Sequence, residues 1–188
     1  MNTVKFKLSA ILLSSLTFGP LVHAETQTAT LAGGCFWGME EYFRKIPGVL
    51  ATQVGYAGGK SSSANYEAVS AGKTGLAESV EVKFDSNKVS YETLLYHFFK
   101  MHDPTTRNRQ GNDVGTQYRS AIFYNTPTQK SAADTVIAQV TRSNAWKAPL
   151  TTQIAPTVHF YPAEEYHQQY LIKHPNGYDN HYVRPLRF

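Results

Sequence analysis

The sequence predicts a mixed fold, a two-layer α/β or α+β sandwich, on three observations. Segments that alternate with period two are interleaved with segments of helical period along most of the 188 residues. No internal repeat or low-complexity stretch interrupts that alternation. Once an apolar leader is set aside, the remaining length suits one domain of ordinary size, ample to bury a core.

The elements follow in order. Thr28 to Ala32 reads as a short strand, and Met39 to Arg44 as a helix stopped by Pro47 and Gly48. Ala51 to Tyr56 is a second strand, followed by a loose Gly/Ser loop from Ala57 to Ser63. Asn65 to Ser70 forms a short helical turn, and Ala77 to Phe84 alternates as a strand. Ser90 caps an amphipathic helix to Met101, with Glu92 in its first turn and Leu94, Leu95, Phe98 and Phe99 on one face. His102 to Tyr118 is long, polar and without period. Ser120 to Tyr124 is a strand; Thr126-Pro-Thr-Gln129 is a capping box with proline at the first helical position, opening a helix to Arg142. Thr151 to Phe160, broken at Pro156, gives one or two strands. Ala163 to Lys173 gives a last helix, and the tail from His174 has no regular pattern.

The leader reads as an address. Lys5 and Lys7 precede a mostly apolar run from Leu8 to Val22, and Val22-His23-Ala24 places small residues where a signal peptidase cuts. Residues 1–24 are therefore expected to be a secretory signal, and residues 25–188 an exported domain, periplasmic or secreted. Ser14, Ser15 and Gly19-Pro20 interrupt the run, which argues against stable membrane insertion. The net charge of +4 falls to +2 without the two leader lysines, and the remaining basic residues are scattered. No stripe tracks a phosphate backbone, so no nucleic-acid partner is expected. A single cysteine cannot form an internal disulfide, and an exposed free thiol in an oxidising compartment invites damage.

That cysteine lies in Gly33-Gly-Cys-Phe-Trp-Gly38, where a strand hands over to a helix. Unpaired N–H groups and the helix dipole favour an anion there, which predicts a lowered thiol pKa and a reactive Cys35. The bland alternative is a small buried hydrophobe. In Ala77 to Phe84, alternation puts Glu78 on the face of Val80, Val82 and Phe84, with Ser79, Glu81 and Lys83 on a polar face. A carboxyl at the end of a core-facing row is desolvated, keeps its proton and suits a general acid. A frayed strand end turned to solvent, or an arginine partner, fits the same pattern. Within Arg107 to Arg119, Gly111 and Gly115 mark tight turns, while Asp113, Gln117 and Tyr118 offer an acceptor, an amide and a phenol. Metal ligation by His102, Asp103 and Asp113 is an alternative that lacks a second nearby His or Cys.

Together these motifs resemble the peptide methionine sulfoxide reductase A family, which reduces the S epimer of methionine sulfoxide. Gly34-Cys-Phe-Trp-Gly38 is similar to its active-site motif and Gly55-Tyr-Ala-Gly-Gly59 to its glycine-rich segment. Thr74-Gly-Leu-Ala-Glu78 resembles a family motif that usually carries histidine where Leu76 stands. His102 to Thr106, Asn108 to Ser120, and Glu164-Glu-Tyr-His-Gln-Gln-Tyr170 extend the likeness over nearly the whole expected domain. The resemblance implies an α+β, two-layer sandwich related to the ferredoxin-like arrangement, with a mixed sheet and extensive coil. It implies Cys35 as nucleophile and Glu78 as acid. Tyr66, Asp113 and Tyr118 would hold the substrate oxygen, and Phe36 and Trp37 the substrate methyl. It further implies no metal or bound cofactor, a monomer, and an external thiol reductant (thioredoxin-like, glutaredoxin or glutathione, or dithiothreitol). The substrates would be oxidised proteins or free methionine sulfoxide.

One departure concerns the tail, where many members carry a resolving cysteine in Gly-Tyr-Cys and this sequence has Gly177-Tyr-Asp179. Internal resolution is impossible, so a Cys35 sulfenic acid would need an outside thiol. Two other function classes compete: a cysteine hydrolase using His159 or His167 as base, and a non-catalytic peptide-binding module built on Trp37 and the tyrosines.

Overall fold

A computed structural model of the chain describes residues 25–61 and 64–188. The expected leader, residues 1–24, and Ser62 and Ser63 of the expected loop lie outside the described residues. The elements are β1 (Thr26–Gly33), α1 (Phe36–Phe43), β2 (Val49–Ala57), α2 (Tyr66–Ser70), β3 (Ala77–Asp85) and α3 (Tyr91–Met101). They continue with β4 (Arg109–Gln110), β5 (Asp113–Val114), β6 (Ser120–Tyr124), α4 (Pro127–Ser143), β7 (Gln153–Pro156), β8 (Phe160–Pro162) and α5 (Tyr170–Lys173). No helix among the described residues is long and apolar enough to cross a membrane.

Local chemistry starts the helices where the sequence predicts. Ser90 accepts a hydrogen bond from the Thr93 N–H, and Thr126 from the Gln129 N–H. The Gln129 side chain reaches back one residue beyond the N-cap and accepts from the Asn125 N–H, a variant of the expected capping box. α1 buries Phe36, Met39 and Phe43 against the sheet, a contribution of about 1.5–3 kcal/mol for each large side chain.

β1 and β2 both pair antiparallel with β3 between them, and β3 and β6 both pair antiparallel with β1 between them. Two split βαβ units, β1–α1–β2 and β3–α3–β6, thus interleave in the order β6-β1-β3-β2, the ferredoxin-like arrangement expected above. β7 adds in parallel beside β6, and β8 adds antiparallel beside β2. The expected broken strand is therefore two strands on opposite edges of a six-stranded sheet. Only residues 157–159 join them, a reach of at most about 15 Å. Five flat interstrand spacings would need about 24 Å. The sheet must curl until its edges approach.

The curl has its own small core. Ala32, Ala57, Ala77 and Ala121 pack with the single large ring of Phe123, and larger side chains at the four alanines would hold the strands apart. Gly58, at φ +89°, lies where a Cβ would strike Phe123 and the Arg119 guanidinium. Arg119 fastens the curl by donating to the carbonyls of Gly75 (3.0 Å) and Gly58 (3.5 Å). This second core corrects the expected polar face of β3: Ser79 is fully buried, because both faces of the curled sheet are covered at that end.

Two other expectations are corrected. The polar segment is not without structure: β4 and β5 form a hairpin, followed by a 3₁₀ turn over Thr116–Tyr118. Helix Ala163 to Lys173 shrinks to Tyr170–Lys173, because tertiary hydrogen bonds claim its side chains. Gln168 accepts from the Val54 N–H and donates to the Val54 carbonyl, both at 2.9 Å, extending the β8 pairing along β2 with a side chain. Gln169 then takes φ +52° and gives its N–H to Glu40 (2.7 Å). Gln168→Ala leaves the Val54 N–H without its partner and should lower unfolding stability by about 1–3 kcal/mol. Urea denaturation checks this, and an unchanged midpoint would refute the tertiary override.

Candidate active site

Antiparallel pairing gathers the site at one end of the sheet. Gly33, closing β1, pairs with Ser120, which opens β6, and Glu78 at the start of β3 pairs with Tyr56 near the end of β2. Cys35 follows two residues after β1 and caps α1, its sulfur facing the N–H groups of Trp37 and Gly38. The Phe36 N–H turns instead to Glu78 and donates to its Oε2 at 3.1 Å. A cavity of about 130 Å³ opens over these groups, lined by Cys35, Phe36, Trp37, Tyr66, Glu78, Asp113, Tyr118 and Tyr178.

Each wall is held from behind. The Trp37 indole donates to His167 Nδ1 (3.0 Å) and stacks on Tyr170, with ring centroids 3.7 Å apart, so it cannot rotate freely. Because His167 accepts at Nδ1, its proton is on Nε2. Glu164 accepts from the Tyr66 N–H (2.8 Å) and the Tyr56 hydroxyl (2.9 Å), fixing the start of α2 beside β2. Tyr178 and Asn180 donate to the two oxygens of Asp113, at 3.1 and 2.8 Å. His181 Nε2 donates to the Gly33 carbonyl at 2.8 Å and ties the tail to the strand–helix junction. Gly38 is required beside it, since a Cβ there would collide with Asp179 and His181.

Burial decides the electrostatics. Glu78 is 2% exposed. Desolvation pushes its carboxyl up to about 8; the Phe36 N–H pulls the other way, and the charge of Asp113 adds to the rise. Glu78 is therefore protonated at neutral pH. Cys35 is 6% exposed, and its pKa is raised, which corrects the expectation of a lowered one. Burial is the main cause, with Glu78 and Asp113 adding; the Trp37 and Gly38 N–H groups lower it but do not prevail. Desolvation likewise holds the Tyr118 phenol well above its ordinary range, so it stays a donor. The resting site is a neutral thiol beside a neutral carboxyl and a phenol.

All seven sequence-nominated residues line the one cavity, whereas no histidine does. His167 spends Nδ1 on Trp37, and His159 lies beside Lys60, Val158 and Tyr161 at a different cavity, which removes both bases of the hydrolase alternative. His102 is buried at the end of α3, bonded to the Phe98 carbonyl and Ser120, and Asp103 closes a turn onto Thr105. Among the described residues no three His, Cys, Asp or Glu gather as metal ligands. Leu76 is 1% exposed in the apolar core, surroundings that suit leucine better than an imidazole. Sequence reasoning missed Tyr178 and Asn180, which reach the site from an aperiodic tail. The signals were the turn-forming Asn176-Gly177 just before them and the likeness of Gly177-Tyr-Asp179 to a segment that carries a resolving cysteine in other members.

A family model described as peptide methionine sulfoxide reductase matches residues 27–187. Peptide methionine sulfoxide reductase MsrA 1 of Mesorhizobium japonicum is 51% identical over 160 residues, covering 85% of this chain and 91% of that protein. Among solved structures, reduced Mxr1 from Saccharomyces cerevisiae aligns with a TM-score of 0.78 and 37% identity, over 91% of this chain and 97% of that one. The yeast protein in complex with Trx2 aligns with a TM-score of 0.59 and 27% identity, over 91% and 96%.

The Glu78 shift carries a stability consequence with a definite sign. Its folded pKa, about 8, exceeds the ordinary 4.5, so its contribution is fully present below about pH 4.5 and lost as pH rises through about 8. The loss amounts to several kcal/mol in order of magnitude. Glu78→Gln should therefore flatten the decline in unfolding stability between pH 5 and 8.5. Denaturant melts of the two proteins would contradict this if their pH profiles ran parallel.

Proposed function

This chain belongs to the peptide methionine sulfoxide reductase family, and we propose that it reduces methionine (S)-S-oxide through a Cys35 sulfenic acid, using an external thiol. The observation that carries the reading is the neutral Glu78 carboxyl held against the first turn of α1, next to Cys35. The substrate methyl packs against Phe36 and Trp37, whose aromatic surfaces suit an S-methyl group. The sulfoxide oxygen faces the three proton donors, Glu78 and the phenols of Tyr66 and Tyr118, with Asp113 beside them.

The S–O bond places positive charge on sulfur. Seated over Cys35, that charge favours the thiolate which burial alone disfavours, so ionisation belongs to the occupied site. Cys35 attacks the sulfoxide sulfur while Glu78 delivers its proton to the oxygen, on which negative charge grows. Oxygen passes to Cys35 as the sulfenic acid and methionine leaves. The substrate sulfur gains two electrons and the Cys35 sulfur loses two; the thiol proton replaces the one that Glu78 gave. No second cysteine is present to form a disulfide, so an incoming thiol forms a mixed disulfide, releases water, and a second thiol frees Cys35. A thioredoxin-type donor fits, since a related fold at 27% identity is known in complex with Trx2. With the expected leader removed, the enzyme acts on oxidised proteins outside the cytoplasm.

Mass spectrometry after one turnover without reductant should find Cys35 carrying one added oxygen, and Cys35→Ser should release no methionine. A free Cys35 thiol at full product yield would sink the sulfenic acid. In the dithiothreitol-coupled reaction, Glu78→Gln should lower kcat about 10²–10⁴-fold. Wild-type rate should fall as pH rises through about 8, where Glu78 loses its proton. A wild-type rate level from pH 7 to 9 would take Glu78 out of the acid role.

A further inference from the structure

Apart from the active site, a cavity of about 440 Å³ lies between the polar segment, the start of β6 and the edge strand β7, lined by Arg107, Asn108, Arg119, Ser120, Thr151 and Gln153. The hydrogen bonds already made fix which donors of Gln153 and Arg119 remain unspent. Gln153 accepts from the Arg119 Nε–H at 3.2 Å through Oε1, which leaves its amide N–H groups to donate elsewhere. Arg119 gives Nη2 to the Gly58 and Gly75 carbonyls and one Nη1–H to the Thr116 carbonyl (2.9 Å), leaving a second Nη1–H. The hydroxyls point elsewhere. Thr151 donates to the Pro104 carbonyl. His102 must donate its Nδ1–H to the Phe98 carbonyl, so its bare Nε2 takes the Ser120 O–H.

The lining thus offers the exposed Arg107 guanidinium, the spare Arg119 N–H and the side-chain amides of Asn108 and Gln153, with no carboxylate among the lining residues. Among the described residues, neither arginine pairs with an acid: the hydrogen-bond partners of Arg119 are neutral oxygens, and its guanidinium lies 5.9 Å from the Phe123 ring centroid. A half-buried guanidinium without a counter-charge is costly unless an anion supplies it. Desolvation already pulls the Arg119 pKa down, the direction expected of a cation in want of a partner.

We propose that this cavity is an oxyanion site, taking phosphate or sulfate through Arg107, Arg119 and the two amides. Planar guanidinium forks suit oxygens of that kind. The ligand bridges the segment that carries Asp113 and Tyr118 to the catalytic cavity and the β7 edge, and so braces that segment from outside. The site is separate from the catalytic cavity and does not depend on the proposed reaction.

Calorimetric titration of the whole protein with inorganic phosphate, sulfate and acetate, at ionic strength held constant with chloride, tests the assignment. Phosphate or sulfate should bind once per chain with Kd of about 1 mM or tighter. Arg107→Gln should weaken that binding about tenfold without changing the sulfoxide reductase rate in phosphate-free buffer. Hydrogen exchange over residues 107–119 should slow when phosphate is added. Acetate binding as tightly as phosphate would also support the site, and would identify its ligand as a carboxylate. Phosphate acting no differently from chloride, or binding unaffected by Arg107→Gln in a protein whose melting temperature is unchanged, would overturn it.

Discussion

One hydrogen bond organises the active end of the molecule, from the Phe36 N–H to the Glu78 carboxyl. It joins the first turn of α1 to the start of strand β3 and fixes an acid beside the residue that caps the helix. Three amides at the start of α1 are shared between two groups: one goes to Glu78, and those of Trp37 and Gly38 face the Cys35 sulfur. Neither acid receives enough donors to hold a charge against burial. The low-dielectric site therefore settles on two protons, one on sulfur and one on oxygen. A thiol in that state reacts slowly with small oxidants, because the thiolate is the reactive form.

The fold serves this arrangement through antiparallel pairing and curvature. Pairing of β1 with β3 and β6 gathers Cys35, Glu78 and Tyr118 at one end of the sheet. The curl, made possible by Ala32, Ala57, Ala77 and Ala121 and fastened by Arg119, covers the second face of that end and keeps it dry. Long-range side-chain bonds then set the walls. Glu164 holds Tyr66 in place, His167 holds Trp37, and the tail residues Tyr178 and Asn180 hold Asp113. The walls are rigid because their partners are spent on them, which is what preorganised donors require.

The sequence was legible where physics is local. Ser90 and Thr126 announce their helices through side chains that bond within one turn. Glu78 announces its burial through its place in the Val80, Val82 and Phe84 row. It was illegible where distant groups decide. Ser79 reads as solvent-facing because nothing in its neighbourhood reveals that the sheet curls over it. The Ala163 to Lys173 pattern is helical by period, yet Gln168 does more as a partner for Val54 than as a helix residue. Cys35 shows both sides of the lesson. Its helix-start position was read correctly, but the dipole there is outweighed by burial and by two carboxyls that arrive from other parts of the chain. The tail carries no period because its residues are held singly: Tyr178 and Asn180 by Asp113, His181 by the Gly33 carbonyl, Arg184 by the Lys100 carbonyl.

The account stands on the proton of Glu78. An infrared difference spectrum between wild type and Glu78→Gln, titrated upward from pH 6, reads that proton directly. A protonated carboxyl band should be present at pH 6 and fade with a midpoint near 8. A carboxylate signal already complete at pH 6 would contradict the account.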